Sequence, residues 1–203
     1  MSVQVKICGL TRPEDVRCVA DCGAEFAGFI LYEKSKRYVA PARLRELTRL
    51  LPASVTKVGV VVNVSLAFAL EALELGGLDV IQFCGDELDA TIEGVPRAWR
   101  AVGLGTPEDA ARAITVPGEA VLVDSIGNGS HGGTGRQCDW QLASALAGQR
   151  PTILAGGLTP DNVAEAIRQV RPFAVDVARG VEAAPGIKDH DKIRAFIRNA
   201  RNA

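Results

Sequence analysis

The chain alternates strand-like and helix-like segments eight times, without a clear linker between any two units. The strand-like segments are short, apolar and rich in β-branched residues, whereas the segments between them have helical character. We predict strands at residues 3–8, 26–31, 57–62, 80–83, 98–104, 120–124, 152–155 and 174–177. Strands that alternate with helices pair in parallel, and eight such units are typical of a closed barrel. We therefore predict an α/β protein with a (β/α)8 TIM-barrel fold, formed as one compact domain over residues 1–203.

An open doubly wound sheet is the alternative architecture for such an alternation. A dinucleotide-binding sheet of that kind carries G-x-G-x-x-G after its first strand, whereas this chain has Cys8-Gly-Leu-Thr11 there. The Gly-Lys-Ser/Thr phosphate loop of nucleotide hydrolases does not occur in the sequence either. The barrel is therefore the favoured architecture.

Charge and hydropathy argue against several classes of partner. Of the 203 residues 47% are hydrophobic, and 23 basic and 24 acidic residues leave a net charge of −1. This balance argues against nucleic acid or an anionic membrane as the main partner. No apolar run reaches the roughly 18 residues of a membrane span, and the signal-peptide pattern is missing. We therefore expect a cytoplasmic protein.

The use of cysteine and histidine argues against disulfides and metals. Five cysteines are an odd number in a chain of this length, which is not typical of a disulfide framework. A zinc site near Cys18 and Cys22 would need further ligands, and only two histidines, His131 and His190, are present. We expect no bound metal.

Alternation along the strands predicts which side chains point into the barrel. Lys6 and Cys8 share the face of the first strand opposite its apolar residues. By the same parity, Asp124 ends the sixth strand on the inner face, and Asp176 lies near the end of the eighth. These four side chains are expected to meet at the carboxyl-terminal mouth of the barrel, where active sites of this fold lie.

Two interpretations of these residues remain open. A buried lysine needs an acidic partner, so Lys6 and Asp176 could form a purely structural ion pair, with Cys8 packing as a small apolar residue. In the functional interpretation Cys8 and Asp124 carry acid–base chemistry, and Lys6 favours the thiolate of Cys8. Two acids and a thiol at strand ends favour the functional interpretation.

Glycine-bearing loops follow the seventh and eighth predicted strands. Gly156 and Gly157 precede a helix for which Thr159 is the expected cap, and Gly180 follows Arg179 in the next loop. Bare amides at a helix start attract anions, and phosphates in this fold usually bind at these two loops. The alternative is that the glycines only permit tight turns.

Two other loops carry weaker signals. Arg37 follows the second strand, and its planar guanidinium would suit a carboxylate, although a loop arginine is more often solvated surface. Residues 132–135, Gly-Gly-Thr-Gly, form a third glycine loop that fits an anion site or a flexible lid equally well. Neither loop decides the function by itself.

Taken in order, these segments resemble the phosphoribosylanthranilate isomerase family of tryptophan biosynthesis. Each match is short, but the ordered set covers nearly the whole chain and is highly specific. The matching segments are Lys6-Ile-Cys-Gly-Leu-Thr11, Gly28-Phe-Ile, Ser35-Lys-Arg-Tyr-Val39, Val58-Gly-Val, Ile81-Gln-Phe-Cys-Gly-Asp-Glu87, Leu122-Val-Asp-Ser125, Gly132-Gly-Thr-Gly135, Asp139-Trp140, Leu154-Ala-Gly-Gly-Leu158, Asn162-Val163, Val175-Asp-Val-Ala-Arg-Gly-Val-Glu182 and Pro185-Gly-Ile-Lys-Asp189.

The resemblance implies an Amadori rearrangement without a cofactor, from N-(5-phosphoribosyl)anthranilate to 1-(2-carboxyphenylamino)-1-deoxyribulose 5-phosphate. It implies Cys8 as general base, Asp124 as general acid and Arg37 as the group that holds the anthranilate. The glycine loops after the seventh and eighth strands would hold the phosphate. The partner would be a small phosphorylated substrate, not nucleic acid or membrane, and the protein would be a monomer or homodimer.

The sequence departs from the family pattern at three places. Cys84 stands where the family usually has histidine, and Lys36 stands where proline is common. Ala178 and Arg179 replace a serine-rich loop, so Arg179 would add a charge to the phosphate site or point to solvent. Asp176 and Arg179 remain candidate substrate contacts.

Two competing functions are disfavoured by the same pair of residues. A histidine-pathway isomerase also acts on a phosphoribosyl compound, but that family has aspartate where Cys8 stands. A non-catalytic phosphosugar-binding barrel would keep the glycine loops but would need neither Cys8 nor Asp124.

Overall fold

The barrel strands are defined by a computed structural model, which describes residues 3–124 and 139–203. They are β1 (Gln4–Cys8), β2 (Phe26–Ile30), β3 (Thr56–Val61), β4 (Val80–Phe83), β5 (Ala98–Gly103), β6 (Ala120–Asp124), β7 (Thr152–Leu154) and β8 (Ala174–Val177). Each strand pairs in parallel with the next, and β8 pairs with β1 to close the barrel. The predicted (β/α)8 fold is thus confirmed. The glycine loop at residues 132–135 lies outside the described residues.

The helices run between the strands and after β8. They are α1 (Pro13–Asp21), α2 (Pro41–Thr48), α3 (Leu66–Gly76), α4 (Asp89–Glu93), α5 (Pro107–Thr115), α6 (Trp140–Ala147), α7 (Val163–Val170) and α8 (His190–Arg201). Local chemistry starts several of them: α5 has a reciprocal capping box between Thr106 and Asp109, and the Asp189 side chain accepts two amide hydrogen bonds at the start of α8. Proline fills the first turn where its missing N–H costs nothing, as at Pro13.

The barrel wall separates two apolar layers. Val5, Ile7 and Val123 belong to the layer between strands and helices, as the alternation predicts. Inside the barrel, the amino-terminal half is filled by apolar side chains, and the Phe26 and Trp99 rings meet edge to face with centroids 5.0 Å apart. Because this half is filled, polar inward-facing groups are concentrated at the carboxyl-terminal mouth.

The chain around the last two strands differs from the sequence prediction. Thr159 does not cap a helix, because α7 begins four residues later, with Asn162 as the residue before its first turn. The Asn162 side chain instead closes a turn, accepting from the Thr159 amide at 2.8 Å and donating to the Gly157 carbonyl at 3.0 Å. Gly156 and Gly157 therefore do not lie directly at the start of a helix.

An unpredicted hairpin follows β8. A short 3-10 helix, Arg179–Val181, leads into strands β9 (Glu182–Ala184) and β10 (Ile187–Lys188), which pair antiparallel. Gly186 joins them with φ +80°, a left-handed conformation that favours glycine. This hairpin lies between the eighth strand and the final helix, so it adjoins the mouth.

In the part of the chain that is described, no helix combines the length and apolarity that crossing a bilayer requires.

Candidate active site

A buried ion pair links the first and last strands of the barrel. Lys6 is fully buried, and its Nζ lies 2.9 Å from Oδ1 of Asp176, which is its register partner on β8. Burial lowers the pKa of Lys6, but the charges and hydrogen bonds of Asp176 and Cys8 together outweigh this effect and the pKa is raised, so the lysine stays charged. The expected pairing of Lys6 with Asp176 is confirmed.

Cys8 lies on the inner face at the end of β1 and is only 5% exposed. Its sulfur fits because its neighbour across the sheet is Gly28: a Cβ there would lie 2.9 Å from Sγ. Burial raises the pKa of the Cys8 thiol, and the positive charge of Lys6 opposes this shift without reversing it. Lys6 thus favours the thiolate of Cys8, as expected, but burial has the larger effect on the pKa.

Asp124 is the last residue of β6 and is half-buried. It shares the strand parity of Leu122, which packs inside the barrel, whereas Val121 and Val123 pack outside. Strands β7 and β8 separate β6 from β1 around the barrel wall. Cys8 and Asp124 thus reach the mouth from separate parts of the wall, as predicted.

Arg37 is held at the mouth by a carboxylate of its own chain. Its Nε donates to Oε1 of Glu182 at 2.7 Å, and its Nη2 donates to Oε2 at 2.6 Å. These bonds raise the pKa of Arg37, so it remains cationic. Arg37 is not a solvated surface arginine, since its side chain is only 15% exposed.

The loops after β7 and β8 pack against each other. Gly156 and Gly157 have φ of +81° and +66°, a backbone that favours glycine. A Cβ on Gly180 would lie 2.0 Å from the Leu158 carbonyl oxygen, so only glycine permits this approach. The exposed Arg179 begins the short 3-10 helix beside them. A short extra helix near these two loops is a common phosphate-site arrangement in barrels.

Cys84 follows β4 and has a different environment from Cys8. The Gln82 side-chain amide donates to its sulfur at 3.2 Å. Burial raises the pKa of Cys84 to about 12, while this hydrogen bond lowers it. Gln82 Oε1 is buried without a hydrogen-bond partner among the described residues.

Two groups at the site, Glu182 and Lys188, were not predicted as site residues from the sequence. Both stand there only within the segments that match the family pattern. The available signal was the placement of an acid and a lysine among apolar and glycine residues directly after the eighth strand. Both are buried, and their charges meet at 3.1 Å.

Within residues 3–124 and 139–203, no three His, Cys, Asp or Glu side chains are grouped so that they could hold a metal ion. The mouth combines a thiol, carboxylates, three paired cations and glycine loops. This combination defines a class of protein: a (β/α)8-barrel enzyme with acid–base groups and an anion site at the carboxyl-terminal mouth.

Comparisons with known proteins narrow this class. Residues 5–199 match the family model for N-(5'-phosphoribosyl)anthranilate (PRA) isomerase. The N-(5'-phosphoribosyl)anthranilate isomerase of Pseudomonas aeruginosa (strain UCBPP-PA14) is 46% identical over 99% of this chain and 96% of its own length. Monomers generated from the dimeric phosphoribosylanthranilate isomerase of Thermotoga maritima superpose with a TM-score of 0.89 at 38% identity, covering 99% and 100% of the chains.

One similar structure contains a ligand. It is a phosphoribosylanthranilate isomerase in complex with reduced 1-(o-carboxyphenylamino)-1-deoxyribulose 5-phosphate, with a TM-score of 0.89, 38% identity and coverage of 99% and 100%. The chain therefore belongs to the N-(5'-phosphoribosyl)anthranilate isomerase family. Its members are isomerases of tryptophan biosynthesis, and this chain is an enzyme of that kind.

Proposed function

We propose that this isomerase converts N-(5-phosphoribosyl)anthranilate to 1-(2-carboxyphenylamino)-1-deoxyribulose 5-phosphate with Cys8 as general base and Asp124 as general acid. The observation that carries this assignment is the inward parity of both residues at the ends of β1 and β6. Asp124 donates a proton to the furanose ring oxygen, the C1′–O bond breaks, and the nitrogen lone pair forms a Schiff base.

Cys8 then completes the rearrangement. Its thiolate removes the C2′ proton, the C–H electron pair forms a C1′–C2′ double bond, and the Schiff-base electrons return to nitrogen. The enol so formed becomes the ketone when its hydroxyl proton is lost and C1′ is protonated. Because the pKa of Cys8 is raised, the reactive ionic form is a minority at neutral pH, but its thiolate is a correspondingly stronger base.

Substrate binding is divided among Arg37, the glycine loops with Arg179, and Asp176. Arg37 holds the anthranilate carboxylate, and the Gly156-Gly157 and Gly180 loops hold the phosphate, supported by their close packing. Arg179 adds positive charge beside these loops. Asp176 gives one oxygen to Lys6 and offers the other to a sugar hydroxyl.

The remaining proposals concern the protein as a whole. Residues 1–203 form one domain, active as a monomer or homodimer, with a phosphorylated small molecule rather than nucleic acid as its partner. A cytoplasmic location is supported by the four free thiols among the described residues, Cys8, Cys18, Cys22 and Cys84.

A fluorescence assay tests the assignment. Freshly made phosphoribosyl anthranilate is mixed with the protein, and its emission should decay in proportion to enzyme concentration. Asp124→Asn should reduce kcat by about 10²- to 10⁴-fold because one proton transfer is lost. Affinity for the reduced product analogue should change little. Near-normal turnover in Asp124→Asn would remove Asp124 from the mechanism.

A further inference from the structure

The carboxylate of Glu182 is the centre of a buried charge cluster beside the mouth. Besides Arg37, it accepts from Lys188 Nζ at 3.1 Å and from the Gly186 amide at 3.2 Å. The Glu182 side chain is 4% exposed and the Lys188 side chain is fully buried. Burial raises the pKa of Glu182, but the bonds from Arg37 and Lys188 outweigh it, so the pKa is lowered and the group stays ionised.

The contacts of Arg37 leave one defined edge of its guanidinium open. Glu182 occupies the Nε and Nη2 edge, and Nη1 has no hydrogen-bond partner among residues 3–124 and 139–203. The Nη1 and Nη2 edge is therefore a planar fork that matches a second carboxylate. The stem of Arg37 is fixed as well, because it lies over Gly9, where a Cβ would be 2.6 Å from Arg37 Cδ.

Lys188 connects this cluster to the loop after β8. Its Nζ also donates to the Ala178 carbonyl at 2.9 Å, directly before Arg179 and Gly180. Gly180 in turn contacts the Leu158 carbonyl of the neighbouring glycine loop. The same buried lysine therefore contacts both the carboxylate that orients Arg37 and the backbone of the proposed phosphate site.

The cluster of Arg37, Lys188 and Glu182 has a net positive charge. Arg37 and Lys188 contribute +2 and Glu182 contributes −1, so the cluster carries +1 and is neutralised by one ligand carboxylate. If Glu182 were neutral, two cations would lie close together and Arg37 would lose the partner that sets its orientation. If Lys188 were neutral, an incoming carboxylate would face Glu182 without full compensation.

We propose that Glu182 and Lys188 are positioning residues: Glu182 directs the open edge of Arg37 toward the substrate carboxylate, and Lys188 ties that contact to the phosphate-binding loop. This inference rests on the proposed function, since it takes the ligand to carry both a carboxylate and a phosphate. Neither residue touches the reacting atoms in this scheme, so binding should change more than kcat.

The test measures binding of two ligands by calorimetry. One is the reduced product analogue, and the other is the same molecule without its ring carboxylate. Glu182→Gln should weaken binding of the carboxylated analogue by about 10- to 100-fold and binding of the analogue without the carboxylate by less than twofold, because only the carboxylate contacts Arg37. KM should rise accordingly with kcat within about threefold of the parent. Equal weakening of both ligands, or of neither, would overturn the role of Glu182.

A double-mutant cycle separates positioning from a merely structural role. In an Arg37→Ala background, Glu182→Gln should no longer change affinity for the carboxylated ligand. If its effect persists there, Glu182 does not act through Arg37. Glu119→Gln is the matched control, because it removes an exposed Arg97–Glu119 pair elsewhere, and it should leave both affinities unchanged.

Lys188→Met tests the connection to the phosphate loop. It should weaken the binding of ribose 5-phosphate as well as that of the carboxylated ligand. Glu182→Gln should leave the affinity for ribose 5-phosphate unchanged. Unchanged affinity for ribose 5-phosphate in Lys188→Met would overturn the connection. If Glu182→Gln does not fold, Glu182→Asp replaces it, since a shorter acid cannot span both Arg37 nitrogens and Lys188. Binding needs no turnover, so failure here is distinguishable from failure of the isomerase assay.

Discussion

Two thiols project from the ends of barrel strands, and their surroundings differ. Cys8 on β1 lies near the cationic groups of Lys6 and Lys188, whose charges lower its pKa against the effect of burial. Burial raises the pKa of Cys84 after β4, and the nearby Cys8 and Glu87 raise it further. The Gln82 amide and Lys6 lower it. The pKa of both thiols is raised by burial, and the difference lies in what opposes it: two lysine charges near Cys8, but a hydrogen bond and one lysine charge near Cys84.

The β4 side of the mouth is built for rigidity. Glu87 accepts from the Asn63 and Gly85 amides at 2.7 and 3.0 Å, and Arg100 pairs with it at 3.2 Å. This cluster joins the loops after β3 and β4 behind Cys84. On the β1 side, Lys6 pairs with Asp176, and Arg37 and Lys188 both pair with Glu182. Both sides of the mouth therefore hold ion pairs, and the proposed base, Cys8, lies on the β1 side.

The largest expected effect comes from replacing the two thiols separately by serine. Cys8→Ser should lower kcat by about 10²- to 10⁴-fold because the base is lost. Cys84→Ser should lower it by less than about tenfold, since a hydroxyl still accepts from Gln82 and no proton transfer is assigned to that side. Initial rates from the fluorescence assay measure both. Equal losses in the two variants would end the distinction between the thiols.

The second largest effect concerns the Lys6–Asp176 pair. Asp176→Asn leaves a buried cation without its counter-charge and should lower the free energy of unfolding by about 3 kcal/mol, or the Tm by roughly 6–12 °C. It should also lower the pKa of Cys8, because Asp176 raises that pKa and Lys6 lowers it. Absorbance titration at 240 nm, with Cys8→Ala in each background subtracted, follows the thiolate.

The matched control for this variant is Asp79→Asn. It removes a more exposed partner, 3.3 Å from Lys57, and should cost less than about 1 kcal/mol. A rise in the pKa of Cys8 in Asp176→Asn would contradict the assigned balance of charges around the thiol.

A third, smaller effect tests the space reserved for the Cys8 sulfur. In Gly28→Ala the new Cβ would lie 2.9 Å from Sγ and 3.1 Å from the Cys8 Cα, and the backbone atom cannot easily move. Overpacking of this kind costs about 1–3 kcal/mol, and displacement of the sulfur should lower kcat by roughly ten- to a hundredfold. Chemical denaturation and the fluorescence assay measure the two effects.

Gly148→Ala is the control for overpacking. Its Cβ would meet nothing closer than 3.7 Å, and its φ of −72° suits any residue. Stability and rate should both stay near those of the parent. If Gly28→Ala behaved like Gly148→Ala, the glycine opposite Cys8 would not be what admits the sulfur.

The sequence predicted those parts of the site that depend on local periodicity. Strand parity was sufficient to predict that Lys6, Cys8 and Asp124 face the barrel interior, because side chains alternate between the two faces of a strand whatever its neighbours are. It was also sufficient to propose Asp176 as the partner of Lys6, since a buried cation has few alternatives.

What could not be predicted depends on contacts between distant segments. Glu182 meets Arg37 from 145 positions away, and nothing in either local pattern specifies that contact. The net pKa of Cys8 could not be predicted for a related reason: Lys6 lies two residues away in the sequence, but the burial that raises the pKa depends on the whole fold. Thr159 was assigned as a cap because its type fits, whereas the Asn162 side chain closes the turn instead.

The smallest expected effect is the pH dependence of stability that comes from Glu182. Its pKa is lowered in the folded state, so its contribution is present above the unfolded value of about 4.3 and is lost as pH falls through the lower folded value. The Tm of the parent should therefore drop more steeply on acidification below about pH 4.5 than the Tm of Glu182→Gln, which cannot lose a proton there. Above pH 6 the two curves should run parallel. Identical slopes below pH 4.5 would mean that Arg37 and Lys188 do not hold this carboxylate ionised.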